Sequence, residues 1–248
     1  MCILSHQLSR MSSPSISVCL SPELIHLYSL KDTLAVVTDI LRATSCMVTG
    51  FAHGVEKIIP VEEVEACKAL QQEGMIAAAE RDGEKVAGFD LDNSPFSYMQ
   101  PSLKGATIAM TTTNGTRAIH RARQAQQVLI GAFLNKQILA DHLANQRKSI
   151  MIVCAGWKGR VNIEDTLFAG AMVEALKEHF VIGNDAALMS KVLYNDSRMD
   201  MMRVIEQCAH VQRLRKLGIE KDILFSLTEN QYDVIPVLRG ETLEKLAL

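Results

Sequence analysis

The sequence lacks several features that would assign the protein to a familiar class. It has six cysteines but no C-x-x-C pair, and their spacing fits neither a zinc ribbon nor a small disulfide scaffold. The formal net charge is only −2, which gives no overall field to attract nucleic acid or anionic lipid. No apolar run is long enough to cross a membrane. We therefore expect no nucleic-acid or membrane partner and a reducing, cytoplasmic location.

The two common phosphate-binding loops are also absent. Neither G-x-x-x-x-G-K-[ST] nor G-x-G-x-x-G occurs in the chain, and there is no internal repeat or low-complexity linker. A chain of 248 residues, 48% of them hydrophobic, can bury a full core. We expect one domain over residues 12–248, preceded by a frayed extension over residues 1–11.

Short apolar runs alternate with stretches of helical periodicity along most of the chain. The runs that predict strands are "SISVCL", "TLAVVTD", "KIIPV", "MIAAA", "ATIAMT", "QVLIGAF" and "SIMIVCAG". Beyond about residue 184 the pattern is mainly helical, and it assigns no element to "ILFSLT" or "VIPVL". This alternation is typical of right-handed crossover units. We predict a three-layer α/β/α fold with a mostly parallel central sheet and a helical C-terminal section.

Polar and charged side chains follow four of the predicted strands. Sheets of this kind bind ligands outside the carboxyl ends of their strands, so these side chains are candidates for one shared site. They are Asp39, Arg42, Thr44 and Ser45 after "TLAVVTD", Glu80 and Arg81 after "MIAAA", Thr111 to Arg117 after "ATIAMT", and Trp157, Lys158, Arg160, Glu164 and Asp165 after "SIMIVCAG".

Each junction also has an ordinary explanation. Ser, Thr, Asp and Asn at a helix start usually cap its free amides, and Glu80 beside Arg81 could be a simple ion pair. Arginine at a helix start opposes the helix dipole, so its recurrence favours a bound anion. The stretch "TTTNGTR" could place hydroxyls, turn amides and a guanidinium around one tetrahedral anion. Neighbouring carboxylates would repel that anion unless a divalent cation such as Mg²⁺ were present.

Other motifs are weaker indications of function. Asp39 ends a strand, as in haloacid-dehalogenase-type phosphatases, but a leucine stands where the second aspartate is required. Cys154 precedes a glycine-containing loop, yet its arginine lies six residues on, and we interpret it as a buried strand cysteine. His53, His120 and His142 have no zinc spacing and are interpreted as structural. The basic stretch "QRLRKLG" is interpreted as a solvated helix face.

Five stretches together resemble the 2-phosphosulfolactate phosphatase family. They are "VVTDILRATS", "AAERDGEKVAGFDLDNSP", "TIAMTTTNGTRAI", "VLIGAFLN" and "IVCAGWKGRVNIEDTLFAGAMV", and they cover most of residues 33–175 in the family's order. The resemblance implies a magnesium-dependent α/β phosphatase. It would hydrolyse 2-phospho-3-sulfolactate to 3-sulfolactate and phosphate, a step toward coenzyme M.

The substrate of that family carries phosphate, sulfonate and carboxylate, which suits a cleft rich in cations and hydroxyls. We expect catalysis to involve Asp39, Arg42, Thr112, Thr113, Asn114 and Arg117. We expect substrate binding by Thr44, Ser45, Arg81, Asn93, Ser94, Gly115, Thr116, Trp157, Lys158 and Arg160. Mg²⁺ would be held by carboxylates drawn from Asp39, Glu80, Glu164 and Asp165, where it would lower the pKa of an attacking water.

Three questions stay open at this point. The attack on phosphorus could come from water or from Asp39 through a phosphoenzyme. The chain could instead be a non-catalytic binding protein for a phosphorylated or sulfonated metabolite, which would take up ligand without turnover. It could also be a structural protein, if the four strand ends lay far apart. Because closed homo-oligomers are common, we expect a homodimer.

Overall fold

The computed structural model describes residues 13–247, so the expected extension over residues 1–11 lies outside the described part. Strands form at all seven predicted positions, and four further strands appear. The strands are β1 Ser15–Cys19, β2 Leu34–Thr38, β3 Lys57–Pro60, β4 Ile76–Arg81, β5 Glu84–Lys85, β6 Thr107–Thr111, β7 Gln127–Gly131, β8 Ile150–Cys154, β9 Val181–Ile182, β10 Pro236–Arg239 and β11 Thr242–Lys245.

The helices follow the predicted alternation. Those in the described part are α1 Ala43–Ala52, α2 Val64–Gln72, α3 Gly115–Ala122, α4 Lys136–Ala144, α5 Ile163–Ala175, α6 Asp185–Ser197, α7 Met201–Ile205, α8 Ala209–Lys216 and α9 Glu220–Ser226. The two stretches that the pattern left unassigned fall in α9 and β10. Short 3-10 segments at Pro22–Leu27 and Pro95–Met99 complete the loops used below.

The centre of the sheet is a parallel trio with β2 in the middle. Leu34 pairs with Gln127 of β7 on one side and Ile150 of β8 on the other. All five residues of β2 and all five of β8 are buried, which explains why both read as unbroken apolar runs. β1 and β9 extend this group beyond β8, again in parallel.

A second parallel group consists of β3, β6 and β4. The two groups are joined by the antiparallel hairpin β10–β11, through single pairs of Val237 with Leu129 and of Leu243 with Ile58. Three antiparallel pairings therefore separate the groups, and their strands run in opposite directions. In a flat sheet their carboxyl ends would lie at opposite edges. The side-chain contacts described below bring those ends together, so the sheet is not flat.

Helices cover both sides of the sheet. α1, α3 and α5 pack against the central strands, α6 packs on α5 and β1, and α2 covers β4 and β6. This confirms the prediction of a three-layer α/β/α fold with a mostly parallel sheet. None of the helices described in residues 13–247 combines the length and the apolar character needed to cross a membrane.

Candidate active site

The four strand ends singled out in the sequence reach one pocket. Asp39 follows β2, Glu80 lies near the end of β4, Thr113 follows β6, and Trp157 follows β8. The arrangement of a purely structural protein, with these ends far apart, is not observed. The remaining lining residues are Leu41, Arg42, Gly83, Asn93, Asn114, His210, Arg213 and Leu214.

Asp39 lies at the base of this pocket and is only 6% exposed. Its Oδ1 accepts a long hydrogen bond of 3.4 Å from the amide of Ala43, the first residue of α1. A β-carbon added at Gly115 would lie 2.9 Å from Asp39 Oδ2 and 2.6 Å from Ala43 Cβ. Burial, and then the charge of Asp165, raise the pKa of Asp39 well above its usual value. The glycine therefore lets α3 approach a carboxylate that is short of compensating charge.

Asp165 joins two strand ends from the first turn of α5. Its Oδ1 accepts from the Ile40 amide at 2.9 Å, and its Oδ2 accepts from the Gly156 amide at 3.0 Å. It is fully buried, and burial followed by repulsion from Glu164 raises its pKa to about 8. With both oxygens held by backbone amides, Asp165 positions the loops around Asp39.

Glu164, also fully buried, contacts a histidine from the C-terminal section. His210 Nδ1 lies 2.5 Å from Glu164 Oε1, and the side-chain amide Nδ2 of Asn162 donates to the same oxygen at 3.1 Å. Within residues 13–247 Glu164 Oε2 has no hydrogen-bond partner. The His210 ring stacks on Trp157 with 6.3 Å between ring centroids, and both rings line the pocket.

The "TTTNGTR" segment cradles a carboxylate of the protein itself. Thr113 donates to Glu80 through its amide at 3.3 Å and its hydroxyl at 3.2 Å. The amide of Thr116 donates to the hydroxyl of Thr112 at 3.2 Å, and Asn114 accepts from the amide of Lys158 at 3.0 Å. Donors of the kind expected to meet an anion are thus present, with Glu80 as their acceptor in this arrangement.

The expected cations are distributed unequally. Of the five, Arg42 lines the pocket; it is 4% exposed, pairs with Asp222 and donates to the Gly83 carbonyl at 2.9 Å. Arg117 pairs with Glu23 of the Pro22–Leu27 segment and does not line the pocket, because that ion pair directs it away.

The other three cations also lie outside the lining. Arg81 donates to the carbonyls of Glu80 and Glu62, Lys158 pairs with Asp82 at 2.6 Å, and Arg160 lines a neighbouring groove. They surround the pocket without facing it.

Of the smaller residues expected to bind substrate, some lie outside the pocket and one lines it. Thr44 and Ser45 are fully buried and donate to the carbonyls of Asp39 and Ile40, which makes them part of the α1 framework. Ser94 donates to Asp222 at 3.0 Å and lies in a cleft beside the pocket. Asn93 lines the pocket itself, and in the described part of the chain its buried Oδ1 has no partner.

Helix capping accounts for only part of the three junctions around the pocket, through Asp39 and Thr112, which accept from first-turn amides of α1 and α3. The N-cap residues of α1, α3 and α5 are Arg42, Asn114 and Asn162, and none forms a side-chain cap hydrogen bond. The positions of Cys154 and His120 agree with their interpretation as structural residues. Cys154 is fully buried, and His120 bonds to the carbonyl of Pro60 at 2.9 Å.

Functional candidates from the C-terminal helices were missed by sequence reasoning. His210 and Arg213 line the pocket from α8, and Asp222 on α9 pairs with Arg42 and lines the adjoining cleft. Arg213 belongs to the basic stretch interpreted as a solvated face, but its guanidinium carbon sits 4.7 Å from the centre of the Trp157 ring. The only local signal was a histidine three residues before an arginine on an amphipathic helix, which is common on surfaces.

Comparison with known proteins identifies the family. The family model described as 2-phosphosulpholactate phosphatase matches residues 19–241. A probable 2-phosphosulfolactate phosphatase of Caldicellulosiruptor saccharolyticus is 38% identical, covering 88% of this chain and 93% of the relative. Those of Caldanaerobacter subterraneus and Synechocystis sp. are 38% and 35% identical, covering 85% and 87% of this chain and 90% and 92% of the relatives.

The chain belongs to the 2-phosphosulpholactate phosphatase family. The resemblance found in the sequence is thereby confirmed, and it extends through the C-terminal helices that complete the pocket. Membership places the chain among enzymes that hydrolyse phosphoric monoesters and act on a small-molecule substrate.

The magnesium ion expected for the family can be tested against the available oxygens. In residues 13–247 no group of three acidic, histidine or cysteine side chains is arranged to hold a metal. Asp165 has both oxygens bonded to amides, and Glu164 faces His210. Asp39 and Glu80, unlike Asp165, line the pocket. Asp39 Oδ2 accepts no hydrogen bond from the described residues, whereas Glu80 accepts from the amides of Gly83 and Thr113. Mg²⁺ commonly takes one or two carboxylates plus water and substrate oxygens, so this pair fits it.

The pocket is nearly closed by α8. Its enclosed free space is about 10 Å³, which is room for about one water molecule. A larger cleft of about 360 Å³ adjoins it and shares Arg42 and Gly83 with it. A phosphoester must therefore enter through this cleft or displace α8.

Proposed function

We propose that the protein hydrolyses 2-phospho-3-sulfolactate, or a similar small polyanionic phosphoester, to the alcohol and inorganic phosphate with Mg²⁺ as cofactor. Family membership supports the reaction class. The observation that carries the proposal is the meeting of Asp39, Glu80, Arg42, His210 and Arg213 in one pocket. Carboxylates for a metal and donors for anionic oxygens are what transfer of a phosphoryl group to water requires.

We assign the metal to Asp39 and Glu80 and leave Glu164 and Asp165 to position the surrounding loops. When bound, Mg²⁺ would polarise the phosphoryl group and lower the pKa of the attacking water. A cation here would also relieve the repulsion among buried carboxylates that raises the pKa of Asp39. Loss of Glu80 to the metal would free the Thr113 amide and hydroxyl for a phosphoryl oxygen.

Substrate anions would be bound from two sides. Arg42 is fixed by Asp222, so its guanidinium is held in place at the mouth of the pocket. Arg213 approaches from α8 and has room to exchange its contact with the Asp82 carbonyl for a sulfonate or carboxylate. Arg117 stays a prediction, since binding by it requires its ion pair with Glu23 to open.

The deciding experiment measures phosphate release from a panel of small phosphoesters with Mg²⁺ or with a chelator. We expect release only with the metal, and fastest from an ester that carries further anionic groups. Asp39→Asn should reduce kcat by at least about 100-fold, whereas Asp141→Asn, at an exposed site on α4, should keep full activity. Uptake of 2-phospho-3-sulfolactate without phosphate release would support the binding-protein alternative.

The place in coenzyme M synthesis depends on the substrate. If 2-phospho-3-sulfolactate is the best ester of the panel and 3-sulfolactate is its product, that assignment is supported. Clear preference for another ester would support the phosphatase activity and contradict the place in coenzyme M synthesis.

A further inference from the structure

The pocket contains a histidine paired with a buried carboxylate. His210 Nδ1 meets Glu164 Oε1, so the ring is held by one nitrogen. The other nitrogen, Nε2, forms no hydrogen bond with any residue of the described chain, and the ring lines the pocket beside Asp39. The side chain of His210 is only 9% exposed and stacks on Trp157. The ring is therefore fixed, with one nitrogen in use and one available.

The buried carboxylate of Glu164 has few other partners than His210. Glu164 is fully buried, and its Oε2 has no partner within residues 13–247. Apart from the amide of Asn162, the histidine is the group that compensates it. A buried carboxylate is stabilised strongly by a cationic neighbour and poorly by a neutral one. The dyad thus keeps a proton close to the reacting centre.

The other acidic groups of the pocket are poorly placed to give up a proton. Asp165 is fully buried and does not line the pocket, so a proton that it carries does not face the substrate. Asp39 and Glu80 are assigned to the metal. His210 is the remaining group in the pocket with a nitrogen that can carry and release a proton.

An alkyl phosphoester needs such a donor. The oxygen that leaves phosphorus is attached to a saturated carbon, so without a proton it departs as a strongly basic alkoxide. We propose that His210 is a catalytic residue that donates this proton, with Glu164 as its positioning residue; the inference rests on the proposed phosphatase function.

The step balances as follows in atoms and charge. Hydroxide, formed when a water has lost its proton to solvent, makes the new bond to phosphorus. The bond between phosphorus and the ester oxygen breaks, and its electron pair stays on that oxygen. The ester oxygen takes the proton from His210 Nε2, which gives the alcohol and a neutral imidazole. The ring regains a proton from solvent before the next turnover.

The charged groups near His210 come from every element around it. They are Asp39 and Arg42 after β2, Glu80 and Asp82 at the end of β4, Lys158 and Arg160 after β8, Glu164 and Asp165 on α5, and Arg213 on its own helix. A pH profile alone would mix their contributions, so the test compares substrates as well as pH.

The test compares two phosphoesters that the wild type cleaves with Mg²⁺, one alkyl and one aryl such as 4-nitrophenyl phosphate. His210→Gln should lower kcat on the alkyl ester by about 10²- to 10⁴-fold, and on the aryl ester by less than about tenfold, because a phenolate leaves without a proton. The fall of kcat at high pH on the alkyl ester should also disappear. His179→Gln, at an exposed position after α5, serves as the matched control and should match wild type.

Glu164→Gln tests the positioning role. We expect it to lower kcat on the alkyl ester selectively, with KM little changed, because the ring is no longer held or charged. Equal losses on both esters in His210→Gln would overturn the inference and leave the phosphatase proposal standing. A wild type that releases phosphate from neither ester would instead remove the proposed function itself. Circular dichroism and thermal melting show whether either variant has lost its fold.

Discussion

At the scale of single residues, Gly115 allows a close approach between α3 and the residues around Asp39. It is the first residue of α3, and the atoms nearest to its missing β-carbon belong to Ala43 and Asp39. Two helix starts and the carboxylate of Asp39 can meet here only without a side chain. The local sequence suggests a turn glycine after asparagine, but its function is close packing.

Gly115→Ala should therefore damage activity although alanine is the better helix former, by about 1 kcal/mol. The new methyl group would lie 2.9 Å from Asp39 Oδ2 and 2.6 Å from Ala43 Cβ, so the carboxylate or α1 must shift. We expect kcat/KM to fall at least about tenfold. Gly50→Ala within α1, whose nearest neighbour would be Tyr98 at 3.3 Å, is the control and should keep most activity. Unchanged kinetics for Gly115→Ala would contradict the close packing.

Asp165 should make stability depend on pH. Its pKa is raised from 3.8 to about 8, so between these values the folded state binds more protons than the unfolded state. Unfolding free energy therefore decreases as pH rises through this window and levels off above it. Urea unfolding of wild type and Asp165→Asn from pH 5 to 8 should show the steeper decline in wild type. The substitution also removes a charge that raises the pKa of Asp39, so the difference between the two curves contains a contribution of the same sign from Asp39. Parallel pH curves would show that Asp165 is ionised throughout.

The strand-end residues were predictable because sheets of this kind bind ligands outside the carboxyl ends of their parallel strands. That rule was sufficient for Asp39, Glu80 and Thr113. It could not find His210, since 46 residues separate it from its partner Glu164 and nothing local marks it. It also could not predict that Glu23 would pair with Arg117, because a surface ion pair depends on the path of a distant segment.

At the scale of elements, α8 forms the lid side of the pocket. It carries His210 and Arg213 over Trp157, and Arg213 also donates to the Asp82 carbonyl at 3.0 Å. The prediction of a mainly helical section beyond residue 184 was right about its type. Its amphipathic pattern could not show that a basic face covers a tryptophan, because burial of a charged helix depends on what lies opposite.

The same helix offers a matched pair of arginines. Arg213→Ala should raise KM for a polyanionic substrate by about tenfold to 100-fold, as expected for loss of a charged hydrogen bond. Arg215 points elsewhere and bonds to Glu206 at 2.7 Å, so Arg215→Ala should leave KM unchanged. Initial rates at saturating Mg²⁺ decide the matter. An equal rise of KM in the two variants would mean that only the net charge of α8 matters.

At the scale of the whole molecule, the hairpin β10–β11 connects two parallel groups that point in opposite directions. The alternation of strands and helices predicted a parallel sheet, and it did not predict that the chain's last strands would enter its middle. Order along the chain does not determine order across a sheet. The short run "VIPVL" carried no periodicity that would show its position, and Pro236 at its centre begins the strand.

The hairpin should hold the two groups together, and Leu243 is the residue that tests it. Its side chain is fully buried and pairs with Ile58 of the second group. Leu243→Ala should lower the unfolding free energy by about 2–5 kcal/mol through lost burial and a cavity. Leu188→Ala, on the exposed side of α6 at 49% exposure, should cost less than about 0.5 kcal/mol. Urea unfolding followed by far-ultraviolet circular dichroism measures both. Because the pocket is built from both groups, Leu243→Ala should lose activity at the same urea concentration at which it loses structure. Activity that persisted beyond unfolding of the sheet would show that the hairpin is dispensable.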